Sequence, residues 1–128
     1  RWADVRRTGT TNYWVTPTVA DGAVFAGNVG GLRAYDAATG AVRWDVRNNR
    51  LSGNGGGARD GAVYSAGRSL FALAAAEGTT RWSFEMLERP STAFSPPAFV
   101  DGVAYVGSCL KERPDDPYDH VIFALRDP

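Results

Sequence analysis

The residues of this chain with the most chemical potential lie close together near its end. Cys109, Lys111, Arg113, Asp115, Asp116, Asp119 and His120 fall within one stretch, SCLKERPDDPYDH, residues 108–120. A thiol becomes reactive beside a positive charge, and Lys111 and Arg113 are near in sequence. The plainer reading of Cys109 is a small hydrophobe at a strand end. It is the only cysteine, so no internal disulfide can form. Three carboxylates on a proline-containing loop could begin a calcium shell, but calcium takes six to eight oxygens and the spacing matches no EF-hand. His120 is the only histidine, which excludes a multi-histidine zinc site within the chain. As a general base it has no identified nucleophile, and it reads as a plain loop residue. Catalytic, cofactor and metal ligands are therefore assigned to no residue.

A second set is basic: Arg6, Arg7, Arg50, Arg68 and Arg89. Arginine clusters suit planar anions or acidic protein surfaces. Residues 53–57 (GNGGG) look superficially like a phosphate-cradling loop. Such loops follow a strand and open a helix, whereas this one leads into a short strand and an Asp-Gly turn, so nucleotide binding is not expected.

Charge gives no global direction. The 128 residues carry 14 basic and 14 acidic side chains, so no field points to nucleic acid or an acidic membrane. No apolar run approaches the roughly 18 residues of a membrane span. The first residue is Arg1, and no charged-then-apolar leader follows it. A signal peptide is thus expected to be absent or removed, and Arg1 to mark a domain boundary.

The elements that must position these side chains are strands. No segment keeps a helical apolar stripe over three turns, while short β-branched and aromatic runs bounded by turn residues recur. Asp21-Gly22, Asp60-Gly61 and Asp101-Gly102 each precede an apolar run. Asp-Gly at that place suits a type I′ hairpin turn. The pairs recur about every 40 residues, a blade-sized period. The expected strands are 15–20, 23–27, 32–36 and 41–47 in one unit and 57–59, 62–66, 69–73 and 79–85 in the next. A third unit supplies 95–100, 103–107 and 121–125 without a fourth strand. Residues 1–5 match the fourth-strand segments RWDV and RWSF. The fold class expected is all-β: four-stranded antiparallel blades of a propeller, about three of them, covering 14–47, 57–85 and 95–125. Residues 1–5 would be the outer strand of a preceding or closing blade.

One stretch repeats most clearly: AYDAATGAVRW, residues 34–44, with a looser copy, ALAAAEGTTRW, at 72–82. The Asp36 carboxylate can accept from backbone N–H groups two and three residues on, joined by the Thr39 hydroxyl, while Gly40 supplies positive φ. Trp44 and Trp82 then fall on outer strands, where a flat ring can fill the gap between neighbouring sheets.

This pattern resembles the tryptophan-docking motif of the PQQ-binding-like β-propellers, A-x-D-x-x-T-G-x-x-x-W. Ala34, Asp36, Thr39, Gly40 and Trp44 match every defined position. In the second copy Ala72, Gly78 and Trp82 match, while Ala74 and Glu77 replace Asp and Thr. The resemblance implies that Trp44 stacks near Ala34 and reaches the Gly78 turn, and that the second turn is less rigid. It also favours an extracytoplasmic or periplasmic bacterial protein. Its members include quinoprotein dehydrogenases, outer-membrane assembly factors and sensor domains of bacterial Ser/Thr kinases, so fold does not settle function.

In such a blade the Asp-Gly and ATG turns share one end. The variable links 6–14, 48–56, 86–94 and 108–120 share the other, and long loops on a rigid scaffold are the usual seat of recognition. The candidate binding face is Arg50, Arg89, Lys111, Arg113, Asp115, Asp116, Asp119 and His120. Its expected partner is a protein or a small anionic ligand, with further blades or a second copy completing the ring. The expected role is a non-catalytic scaffold without a cofactor. The alternative is a fragment of a PQQ-dependent dehydrogenase, which would bring PQQ and calcium. That family's alcohol dehydrogenases use adjacent cysteines, and no such pair is present.

Overall fold

The structure, a computed structural model, describes residues 1–3, 16–28, 30–48, 50–51, 56–67, 69–85, 94–110, 115–117 and 119–126. Eleven strands account for the secondary structure of these residues. They are β1 (Thr18–Ala20), β2 (Ala23–Asn28), β3 (Gly31–Asp36), β4 (Val42–Arg47), β5 (Ala58–Arg59), β6 (Ala62–Ala66), β7 (Ser69–Ala74), β8 (Thr80–Glu85), β9 (Ala98–Val100), β10 (Val103–Leu110) and β11 (Asp119–Arg126). No helix among the described residues is long and apolar enough to cross a membrane.

The strands form three antiparallel sheets in chain order: β1-β2-β3-β4, β5-β6-β7-β8 and β9-β10-β11. Local chemistry fixes the hairpins. Asp21, Asp60 and Asp101 have φ of 49°, 50° and 48°, and the glycine after each is also positive. Two successive positive-φ residues make the type I′ turn whose twist matches that of the strands it joins. The β3–β4 and β7–β8 connections share a second device. Pairing slips by one residue between Ala34 and Tyr35, and again between Ala72 and Leu73. The slip sets Ala34 opposite Trp44 and Ala72 opposite Trp82. Both alanines are fully buried, and a larger side chain would meet the indole.

Two apolar clusters lie between the sheets. Ala23, Phe25, Leu32 and Ala34 of the first sheet meet Val63, Phe71 and Leu73 of the second, with Leu51 closing the seam. The opposite face of the second sheet, through Tyr64, Leu70 and Ala72, meets Val106, Phe94, Phe99, Phe123 and Leu125. The middle strands of the second sheet are therefore packed by apolar neighbours on both faces, which is why β6 and β7 read as near-continuous apolar runs.

Several strand ends differ from the sequence expectation. The first strand of each outer sheet begins after a proline, β1 after Pro17 and β9 after Pro97, instead of at 15 and 95. Proline has no N–H to give the ladder, so pairing starts one residue later. The largest difference is in the third sheet. The loop expected over 108–120 is partly strand: β10 runs on to Leu110, β11 begins at Asp119, and Ser108 pairs with Val121. Phe94 bridges Ser108, and Ser95 both donates its N–H to the Gly107 carbonyl and accepts the Gly107 N–H on its hydroxyl. These bonds extend the hairpin, and Asp119 and His120 lie on a strand rather than a loop.

Candidate functional site

At the turn end, the carboxylate of Asp36 accepts from the N–H groups of Ala38 (3.1 Å) and Thr39 (2.9 Å) and from the Thr39 hydroxyl (3.0 Å). Arg43 donates to the other carboxylate oxygen at 2.8 Å and to the Gly22 carbonyl at 3.0 Å, joining the two turns of the sheet. Arg43 foremost, then the donors of Thr39 and Ala38, hold the Asp36 carboxyl well below the usual carboxylate range. In the second sheet Ala74 offers no carboxylate. The backbone bond from Gly78 N–H to the Ala74 carbonyl (2.7 Å) remains, and Arg81 reaches only the Asp60 carbonyl at 3.2 Å.

The tryptophans connect one sheet to the next. Trp44 donates its indole N–H to the Ala75 carbonyl at 2.9 Å, and its ring lies so close to Gly78 that an added Cβ would sit 2.8 Å from it. Gly78 has φ 76°, so a side chain there is excluded by both contact and backbone. Trp2 repeats the arrangement on the first sheet, donating to the Ala37 carbonyl at 3.0 Å, covering Gly40 and stacking on Tyr35 at 5.5 Å. Trp82 packs edge-on against Tyr64, and its buried indole N–H has no partner among the described residues.

At the opposite end the predicted face divides. Arg89, Lys111 and Arg113, with Arg6, Arg7 and Arg68, lie outside the described residues. Arg50 forms an ion pair with Glu85 of the second sheet. Asp115, Asp119 and His120 are exposed and Asp116 is half-buried. Among the described residues no group of three or more His, Cys, Asp or Glu side chains could hold a metal ion. The hairpin does bring one pair together: Cys109 and His120 are register partners, with Sγ 3.5 Å from Nδ1. Sequence reasoning missed this contact, because eleven residues separate the two and only the hairpin register joins them.

It also missed a charged group in the first sheet. Arg33 is buried and pairs with Asp45 across the β3–β4 ladder, with its guanidinium carbon 5.9 Å from the Tyr35 ring centre. Arg47 stands 3.9 Å from the same Asp45 oxygen. These side chains, with Gly27, Gly30 and Tyr35, line a cleft of about 120 Å³. A signal was available in the repeats LRAY, LFAL and IFAL, where Arg33 takes the place of Phe71 and Phe123.

Comparison with known proteins follows the same lines. The family model described as outer membrane protein assembly factor BamB matches residues 28–124. The serine/threonine-protein kinase AfsK of Streptomyces griseus is 38% identical over 98 residues, covering 71% of this chain and 12% of the kinase. BamB from Moraxella catarrhalis superposes with a TM-score of 0.60 at 23% identity, over 72% of this chain and 29% of that one. The quinohemoprotein alcohol dehydrogenase ADHIIG from Pseudomonas putida HK5 gives 0.63 at 24% identity, over 73% and 16%. The chain spans a minor part of each of these proteins. Such likenesses show the fold: three consecutive blades of the propeller kind.

Proposed function

The chain belongs to the family whose model is described as outer membrane protein assembly factor BamB, and we propose that it is a non-catalytic propeller scaffold that binds a protein partner through its loop end. The observation that carries this reading is the asymmetry between the two ends. Trp2 and Trp44 already occupy the Gly40 and Gly78 turns, so that end is committed to holding sheets together. The other end carries the extended β10–β11 hairpin and Arg50. Arginine and lysine in the links there favour an acidic partner surface, with binding that weakens as salt rises. The blades are proposed to form part of a larger propeller, as they match only part of each relative.

The test changes Arg50, Arg89 and Lys111 to Ala together in the full-length protein. The partner should be lost from a pull-down while the melting temperature holds within a few degrees, because an exposed pair such as Arg50–Glu85 contributes under about 1 kcal/mol. Retention of the partner at unchanged affinity would refute the assignment. The dehydrogenase alternative predicts that PQQ with calcium raises the melting temperature, as any ligand specific to the folded state must. The described residues do not suit that group: they hold no metal-ligand cluster, and Cys109 has no adjacent cysteine.

A further inference from the structure

The β10–β11 hairpin departs from the plan of the other two sheets at its far end. β2 and β3 close at the Asn28–Gly31 rung, and β6 and β7 at Ala66–Leu70. β10 and β11 carry two further rungs past Ser108–Val121, namely Cys109–His120 and Leu110–Asp119. On the corresponding hairpins the seams between sheets reach out only as far as Leu32, Ala66 and Leu70. Rungs beyond that level are not needed to pack one sheet on the next.

The first added rung brings a thiol and an imidazole together. Opposed residues of an antiparallel pair point to the same face, and Sγ of Cys109 lies 3.5 Å from Nδ1 of His120. Neither side chain has another hydrogen-bond or ion-pair partner among the described residues. Asp119 is one residue on and so points to the other face of its strand. Asp115 and Asp116 do not complete a metal-binding group with the pair. Cys109 is half-buried and His120 exposed, beside a depression of about 450 Å³ that Phe94, Val121 and Ile122 help to line. The sulfur is therefore within reach of a small reagent. A thiol attacks only as its thiolate, and a nitrogen base within hydrogen-bond reach is what generates one.

We propose that Cys109 and His120 form a thiol-exchange site, at which Cys109 takes up half of a small-molecule disulfide as a mixed disulfide. Nδ1 of His120 accepts the Sγ proton, and the thiolate attacks one sulfur of the reagent. A new Sγ–S bond forms as the reagent's S–S bond breaks. The departing thiolate takes the proton back from the imidazolium and leaves as a thiol. Cys109 is oxidised and half of the reagent is reduced, so no other oxidant is required. These 128 residues hold no second cysteine to resolve the adduct, which persists until an outside thiol removes it. The site shares no residue with the Arg50, Arg89 and Lys111 test of the partner surface, so either reading can fail alone.

The test treats the full-length protein with hydroxyethyl disulfide, a small neutral reagent, and follows the adduct on the Cys109 peptide by mass spectrometry. His120→Ala should slow its formation at least about tenfold at pH 7, where an unassisted thiol is only a few per cent ionised. At pH 10 a thiol ionises without help, so the parent and the variant should converge. His120→Gln offers a hydrogen-bond acceptor that takes up no proton, and should be as slow as His120→Ala at pH 7. Both changes fall at an exposed position and should leave the melting temperature within a few degrees of the parent. The proposal is overturned by an absence of adduct at Cys109, or by equal rates in the parent and His120→Ala at pH 7. It is equally overturned by a rate lost to the same extent at both pH values, or by one that His120→Gln restores, since either would make the imidazole a structural contact.

Discussion

Trp44 and Trp82 have the same sequence environment, Arg-Trp on an outer strand, yet the structure gives them different surroundings. Trp44 has its N–H satisfied by Ala75, its ring against Gly78, and Phe25 at 5.7 Å. Trp82 keeps its aromatic neighbours but leaves a buried donor unpaired among the described residues. Truncating a buried aromatic costs about 3–5 kcal/mol, and Trp44→Ala in the full-length protein should fall near the lower end because its ring is only partly buried. Trp82→Ala should cost less, since the unpaired N–H already subtracts from what that side chain contributes. Thermal melts of the two variants check the order. A Trp44→Ala melt indistinguishable from the parent would show that the seam does not depend on docking.

The two docking turns differ at the scale of the element. The β3–β4 turn is held by side chains, whereas the β7–β8 turn relies on its backbone bonds. Asp36 titrates lower in the folded chain than a free carboxylate does. Its contribution is therefore complete above the ordinary range near pH 4, and is lost as acid carries the pH down through the folded value. The stability gap between the parent and Asp36→Asn should be flat from neutrality to about pH 5, then close below about pH 4. Denaturant titrations across that range would show it. A gap that persisted into stronger acid would mean that Arg43 and the turn do not act through the ionised carboxylate.

Such turns were legible in the sequence because their causes are local. Asp-Gly sets its own dihedrals, and an Asp three residues before a Thr can bond it without any help from the rest of the fold. The extension of β10 and β11 was less legible, because it depends on Phe94 and Ser95 arriving from before β9 to bond Ser108 and Gly107. The Cys109–His120 contact inherits that dependence. Arg33 was hidden for a different reason: it sits inside a strand, and its meaning emerges only when one face of each sheet is compared with the next.

At the scale of the whole molecule, the third sheet ends the series with an apolar face uncovered among the described residues. Ile122 is 77% exposed and Tyr105 41%, although their counterparts Leu32 and Leu70, Phe25 and Tyr64 are all buried. Residues placed to be covered and left open drive association. These 128 residues expressed alone should therefore run larger than a monomer by light scattering. Ile122→Lys should shift them toward the monomer, and a parent monomer with sharp, cooperative unfolding would contradict the reading.

The direction of docking also has a meaning in time. Among the described residues both tryptophans that find an acceptor find it downstream: Trp2 on Ala37, 35 residues later, and Trp44 on Ala75, 31 residues later. A ribosome adding about 5–20 residues per second takes roughly two to seven seconds to supply that interval. During that interval the finished outer strand presents an indole to solvent, and the next hairpin must arrive to cover it. Where an indole docks, the blade that carries it is therefore closed by the hairpin made after it.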